Sequence, residues 1–146
     1  MEKGVTPAAH GIQNMSWNIV GQTYVPKLLS PNAFIWHAVV PADTFVPPHI
    51  HPTQDEWIVI LDGHLEIEFI GDVHKAGPGD TVCMPMGEAH GIFNRSGAEA
   101  KCVFGVAPAR KLFDLFTKLD GVTDPEELVR ISTMHEVNFL PPPDAT

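Results

Sequence analysis

The stretch HIHPTQDEWIVILDG, residues 49–63, sets two histidines and an acidic cluster against a run of large apolar residues. Side chains two apart on a β-strand point to the same face, so His49 and His51 project together as a pair of imidazoles. Glu56 opens the next strand after the short connection PTQD, and a carboxylate returning so soon reaches the volume the imidazoles occupy. Imidazole nitrogens plus one carboxylate suit a divalent first-row transition metal. Gln54 shares strand parity with Glu56 and competes for that position, although a carboxylate outbids an amide for a divalent ion.

A second piece of the same chemistry lies in GDTVCMPMGEAHGIFN, residues 79–94. His90 and Asn94 have one parity on a strand there, and Pro85 and Gly87 shape the turn before it. His90 is the candidate fourth ligand. Three imidazoles and a carboxylate buried without a cation leave costly unpaired polar groups, and a metal among them removes that cost.

Outward from these segments, prolines and glycines punctuate the chain at short intervals, with no repeat or charge block. AFIWHAVV (33–40) and EWIVIL (56–61) are almost continuously apolar, as strands covered on both faces are. In HLEIEFI (64–70), Leu65, Ile67 and Phe69 alternate with His64, Glu66 and Glu68, which predicts a half-exposed strand. Turns at LDG (61–63), GD (71–72) and GPGD (77–80) separate these runs from TVCMP, HGIFN and AKCVFGVAP. Short strands joined by tight turns indicate an all-β sandwich or barrel.

The period changes at Ala109. Leu112, Phe113, Leu115, Phe116 and Leu119 recur at helical spacing up to Gly121, and a second helix opens at Thr123 or Asp124 with Pro125 in its first turn. Two short C-terminal helices therefore follow the β domain and pack on it or on a partner subunit, and NFLPPP ends the chain as an extended tail.

His49, His51, Glu56 and Gly63, followed by Gly79, Pro85, Gly87, His90 and Asn94, resemble the two signature motifs of the cupin superfamily. One position departs: Asp43 stands where the first motif opens with a turn-forming glycine, six residues before its first histidine. Only 15 residues separate Gly63 from Gly79, the compact spacing of small single-domain cupins. The resemblance implies a double-stranded β-helix, or jelly roll, over residues 31–107, with the helices and tail over 108–146. It implies an arm over residues 1–30 that adds a strand to the partner's sheet in a homodimer. It also implies that His49, His51, Glu56 and His90 ligate one divalent iron, nickel, manganese, cobalt or zinc ion, iron or nickel foremost.

Beyond the motifs the chain looks most like short quercetin-dioxygenase-like cupins. That resemblance implies an oxygenase in which a small organic substrate chelates the metal and Glu56 doubles as the general base. The alternatives are a lyase, isomerase or cyclase using the ion as a Lewis acid, and a non-catalytic cupin that binds a metal or small ligand. Tyr24 is the sole tyrosine and lies outside both motifs, which speaks against lyases with a tyrosine base inside the barrel.

Composition bounds the rest. A formal net charge of -9 with nine Lys and Arg offers no basic stripe for nucleic acid, and no stretch is long and apolar enough for a membrane span. The opening MEKGVTPAAH lacks the pattern of a secretion signal, so a cytoplasmic protein is expected. Cys83 and Cys102 read as core residues. His37 reads as a cavity-lining or hydrogen-bonded core residue, and His10, His64, His74 and His135 as surface positions. Trp36, Trp57 and Phe34 read as core or dimer interface. Ile58, Ile60, Ile92, Cys102 and Phe104 have the parity to make an apolar pocket beside the metal.

Overall fold

The alternation read from the sequence becomes two antiparallel sheets in a computed structural model that describes residues 1–142. The first sheet runs in the order β1 (Trp17–Ile19), β2 (Gln22–Ser30), β3 (Ala33–Val40), β10 (Ala100–Ala107), β5 (Asp55–Asp62), β8 (Thr81–Met84). The second runs β11 (Asn138–Phe139), β4 (Phe45–Ile50), β9 (His90–Phe93), β6 (Leu65–Phe69), β7 (Asp72–Ala76). This is the expected all-β jelly roll with two short C-terminal helices.

Period-two patterning sorts the side chains. In β3, Phe34, Trp36, Ala38 and Val40 are buried, whereas Ile35, His37 and Val39 are half-buried on the outer face. The same holds in β5, where Glu56, Ile58 and Ile60 face inward and Trp57 and Val59 outward. Trp57 lies across Gly105 of β10, where a Cβ would meet the indole ring at 2.3 Å. His37 therefore neither lines the cavity nor sits in the core, because its parity places it on the outer face.

The core is aromatic at one end. Trp36 stacks between Phe34 and Phe104, at centroid distances of 4.9 and 5.1 Å, and Tyr24 and Phe116 close against it. Full burial of side chains this large stabilises the fold by about 1.5–3 kcal/mol each.

Helix α1 (Leu112–Leu119) buries Leu112, Leu115, Phe116 and Leu119, one stripe at helical spacing, against this cluster. Helix α2 (Pro125–Met134) starts with Asp124 at its N-cap position and Pro125 in its first turn, and packs Leu128 and Ile131 on the same core. Both helices thus cover the chain's own barrel.

Several local features differ from the sequence reading. Residues 17–30, within the arm expected over 1–30, form β1 and β2, with β2 hydrogen-bonded to β3 of this chain. Residues 72–76 add β7, whose four exposed residues carry no apolar alternation. The C-terminal tail is not merely extended: Asn138 and Phe139 pair with Ile50 and His49 as β11, and the end of that tail lies outside the described residues. Cys102 is buried, but Cys83 is exposed on the outer face of β8. His135 is buried rather than on the surface, with Nδ1 2.7 Å from the Ile131 carbonyl and Nε2 3.1 Å from Lys118 Nζ. Asp43 takes φ +65°, the left-handed conformation that a glycine accepts at least cost.

Candidate metal centre

Strand β4 delivers His49 at its end, and His51 follows one residue beyond it. Glu56 stands near the start of β5 and His90 at the start of β9. The register sets His49 directly opposite His90 and brings β11 against His49 from the other side. Two loops hold the ends together: the Gly87 amide donates to the His51 carbonyl at 3.0 Å, and the Met86 amide donates to Asp55 Oδ1 at 2.9 Å. Gly87 has φ +82°, which accounts for glycine at that turn.

All four side chains are at least 95% buried, and one ligand atom from each lies within 4.8 Å of the others. Glu56 Oε2 is 2.8 Å from His51 Nε2 and 3.6 Å from His90 Nε2. The His51 contact is a close charge pair off hydrogen-bond alignment and the His90 contact is too long, so Glu56 Oε2 and both His90 nitrogens are left without a hydrogen-bond partner. Orphaned buried acceptors are rare, and here they converge with the remaining imidazoles on one small volume. A divalent cation fits such a donor set in chemistry and in number.

The second layer fixes which nitrogens face inward. His49 Nδ1 donates to the Pro47 carbonyl at 2.8 Å, which leaves Nε2 as its lone pair. His51 Nδ1 is 2.9 Å from Gln54 Oε1, and the Gln54 amide donates to the carbonyls of Pro108 and Ala109. Gln54 is therefore no competitor for the metal position; it orients His51. Asn94 is not aimed at the site either, since its amide ties Val40 and Ala98 across the turn that follows β9.

Electrostatics separate the imidazoles. Burial, with His90 and His51 adding to it, pushes His49 down to about 3. Burial also opposes charge on His51, but the adjacent Glu56 carboxylate outweighs it and raises that imidazole above its usual value. Burial alone would raise Glu56, and the two facing imidazoles overcome it and hold the carboxyl well below its usual range.

The centre opens on a cavity of about 830 Å³. Ile92, Phe104, Trp36 and Tyr24 form its barrel wall, and Phe116, Leu128 and Phe139 close it from the C-terminal segment. Ile58, Ile60 and Cys102 are buried as their parity requires, but they fill the core instead of lining this space. Among the described residues no Lys or Arg borders it. Tyr24 does border it, so its position outside the motifs did not keep it out of the barrel. The sequence hid this residue, because Pro26 and Lys27 interrupt the apolar pattern of β2 and the register shifts at that point.

Residues 36–106, which carry all four donors, match the family model of the cupin domain. The barrel resembles KdgF from Halomonas sp., with a TM-score of 0.63 and 20% identity over 71% of this chain and 98% of that one. It also resembles an RmlC-like cupin from Shewanella frigidimarina, with a TM-score of 0.67 and 13% identity over 77% and 96% of the two chains. In sequence, the chain is 25% identical over 87 residues to the tetracenomycin polyketide synthase protein TcmJ of Streptomyces glaucescens, which covers 56% of this chain and 58% of that protein. It is 34% identical over 76 residues to germin-like protein 9-3 of Oryza sativa subsp. japonica, or 47% and 36% of the two chains. The chain thus spans about a third of the germin-like protein and just over half of the polyketide synthase protein.

Proposed function

We propose that this cupin holds one divalent transition metal through His49, His51, Glu56 and His90, and acts on a small organic substrate that chelates the ion. The observation that carries the reading is the set of orphaned donors, Glu56 Oε2 and the His90 nitrogens, at the wall of an apolar cavity. Iron or nickel is favoured among iron, nickel, manganese, cobalt and zinc. Such a bound ion supplies Lewis acidity toward a substrate oxygen and makes its proton easier to remove.

The chain's own residues do the rest. Glu56 is the one carboxylate among the four side chains and its Oε2 has no aligned hydrogen bond, so it is the group placed to take the substrate proton as general base. Ile92, Phe104 and Phe139 exclude water around the substrate, which strengthens every charge interaction at the centre. A substrate deprotonated there is electron-rich enough to react with dioxygen, and the reading is an oxygenase of the quercetinase-like type.

A non-oxidative lyase, isomerase or cyclase is the second reading. The tyrosine on the cavity wall is in keeping with it, as a polar group that can position a substrate hydroxyl in an otherwise apolar space. The likeness to a polyketide synthase protein makes polyketides a substrate class to test under either reading.

We also propose a homodimer. Val25, Ile35, Val39, Trp57, Val59 and Val103 leave the outer face of the first sheet half-buried and apolar, and a second copy would cover it.

Oxygen uptake during turnover of a chelating aromatic substrate tests the first reading, and undiminished anaerobic turnover rejects it in favour of the second. Glu56→Gln is expected to lose turnover more than bound metal. Full activity in that variant removes Glu56 as the base.

A further inference from the structure

Tyr24 is buried on the wall of the cavity, 5.8 Å from Trp36 and 6.1 Å from Phe104 between ring centroids. Its hydroxyl lies 2.8 Å from Gln22 Oε1, Gln22 Nε2 lies 3.3 Å from Thr44 Oγ1, and Thr44 Oγ1 lies 2.8 Å from the Pro41 carbonyl. The direction of this chain follows from its last member. A carbonyl only accepts, so Thr44 spends its proton on Pro41 and must accept from the Gln22 amide. That turns Gln22 Oε1 toward Tyr24, and Tyr24 must donate to it. The phenol's only proton is committed, and what its oxygen can still offer a ligand is a lone pair. Burial holds the phenol well above its usual range and keeps it neutral, so the lone pair belongs to a hydroxyl and not to a phenolate.

We infer that Tyr24 is a specificity-determining residue, accepting a hydrogen bond from a hydroxyl or N–H of the substrate other than its metal-chelating oxygens. The inference rests on the metal-dependent reading above. It deepens that reading by naming the substrate class: a largely apolar chelator that carries a hydrogen-bond donor besides its chelating oxygens, since the cavity lining is mostly apolar and, among the described residues, no Lys or Arg borders it. An ether or ketone at the same point would face an acceptor with no proton to share, and a buried unpaired acceptor costs binding.

The test uses calorimetric titration of the metal-loaded full chain with a naphthalene catechol, its ring-hydroxylated isomers and the methyl ethers of the added hydroxyl. At least one hydroxylated isomer is expected to bind about fivefold or more tightly than its ether, the effect of one neutral hydrogen bond. Tyr24→Phe should bind the parent catechol as the wild type does and lose the preference. Gln22→Leu frees the Tyr24 proton, so it should admit the ether and narrow the preference while keeping the hydroxylated isomer. A preference that survives Tyr24→Phe overturns the inference. So does a wild type that binds the parent without preference, or that binds none of the series while carrying metal. Metal content measured on the same sample separates these outcomes from failure of the metal reading itself, which would appear as protein without metal.

Discussion

His51 Nδ1 lies 2.9 Å from Gln54 Oε1, and what Gln54 does at its other end fixes the direction of that hydrogen bond. Its amide nitrogen donates to the carbonyls of Pro108 and Ala109, so its oxygen faces His51 and must accept. His51 is thereby held with its proton on Nδ1 and its Nε2 directed at Glu56. One buried amide ties a metal-facing imidazole to the junction between the barrel and the first helix.

Gln54→Leu is expected to weaken metal binding by about tenfold to a hundredfold, the usual effect of losing a partner that orients a ligand. It should also destabilise the fold by about 1–3 kcal/mol, because the buried Ala109 carbonyl and the partly buried Pro108 carbonyl lose their donor. Competition against a chelator of known affinity measures the first effect and denaturant unfolding the second. Unchanged metal affinity would contradict the orienting role.

Asp43 sits at φ +65°, where a side chain is strained and glycine is not. Asp43→Gly is therefore expected to stabilise the protein by about 0.5–1 kcal/mol, and Asp43→Val to destabilise it by about 1–2 kcal/mol. Thermal unfolding of the two variants beside the parent measures both, and a lower midpoint for Asp43→Gly would count against the backbone argument.

The metal-free protein should lose stability on acidification. Below about 6.5 the unfolded chain protonates His49, while burial delays protonation of the folded form to about 3, so stability falls as pH drops through that window. Glu56 acts in the same direction below 4.5, because its folded carboxyl stays ionised where the unfolded one takes a proton. His51 has the opposite sign in a different window: its raised value stabilises the fold at acid pH, and that contribution fades as pH rises above 6.5. Midpoints of the metal-free protein should therefore decline steadily from pH 6.5 toward pH 3. A flat profile over that range would show that the imidazoles are not buried as described.

The parts of the molecule that were legible in the sequence are those governed by parity and spacing. His49 and His51 two apart, Glu56 returning after a short turn and His90 after Gly87 needed only strand geometry to be brought together, and α1 and α2 needed only helical period and a proline at the start. Contacts made by residues distant in sequence were not legible. Phe139 reaches His49, at 5.5 Å between ring centroids, only because the tail returns as β11. Tyr24 reaches the cavity through a strand whose pattern Pro26 breaks. His135 looked like a surface residue because its burial depends on Ile131 and Lys118 of the two helices, a pairing that no local pattern encodes. Gln54 had the right parity for a ligand, and the carbonyls of Pro108 and Ala109 that decide its role lie on the far side of β10.

The most direct test is elemental analysis of purified, untagged protein beside the His49→Ala, His51→Ala double variant. About one equivalent of iron, nickel, manganese, cobalt or zinc per chain, lost in the variant, is the result expected of a site that needs a cation to satisfy its buried donors. Absence of metal from both proteins, even after reconstitution with each of these ions, would contradict the account and leave the four side chains as a structural cluster.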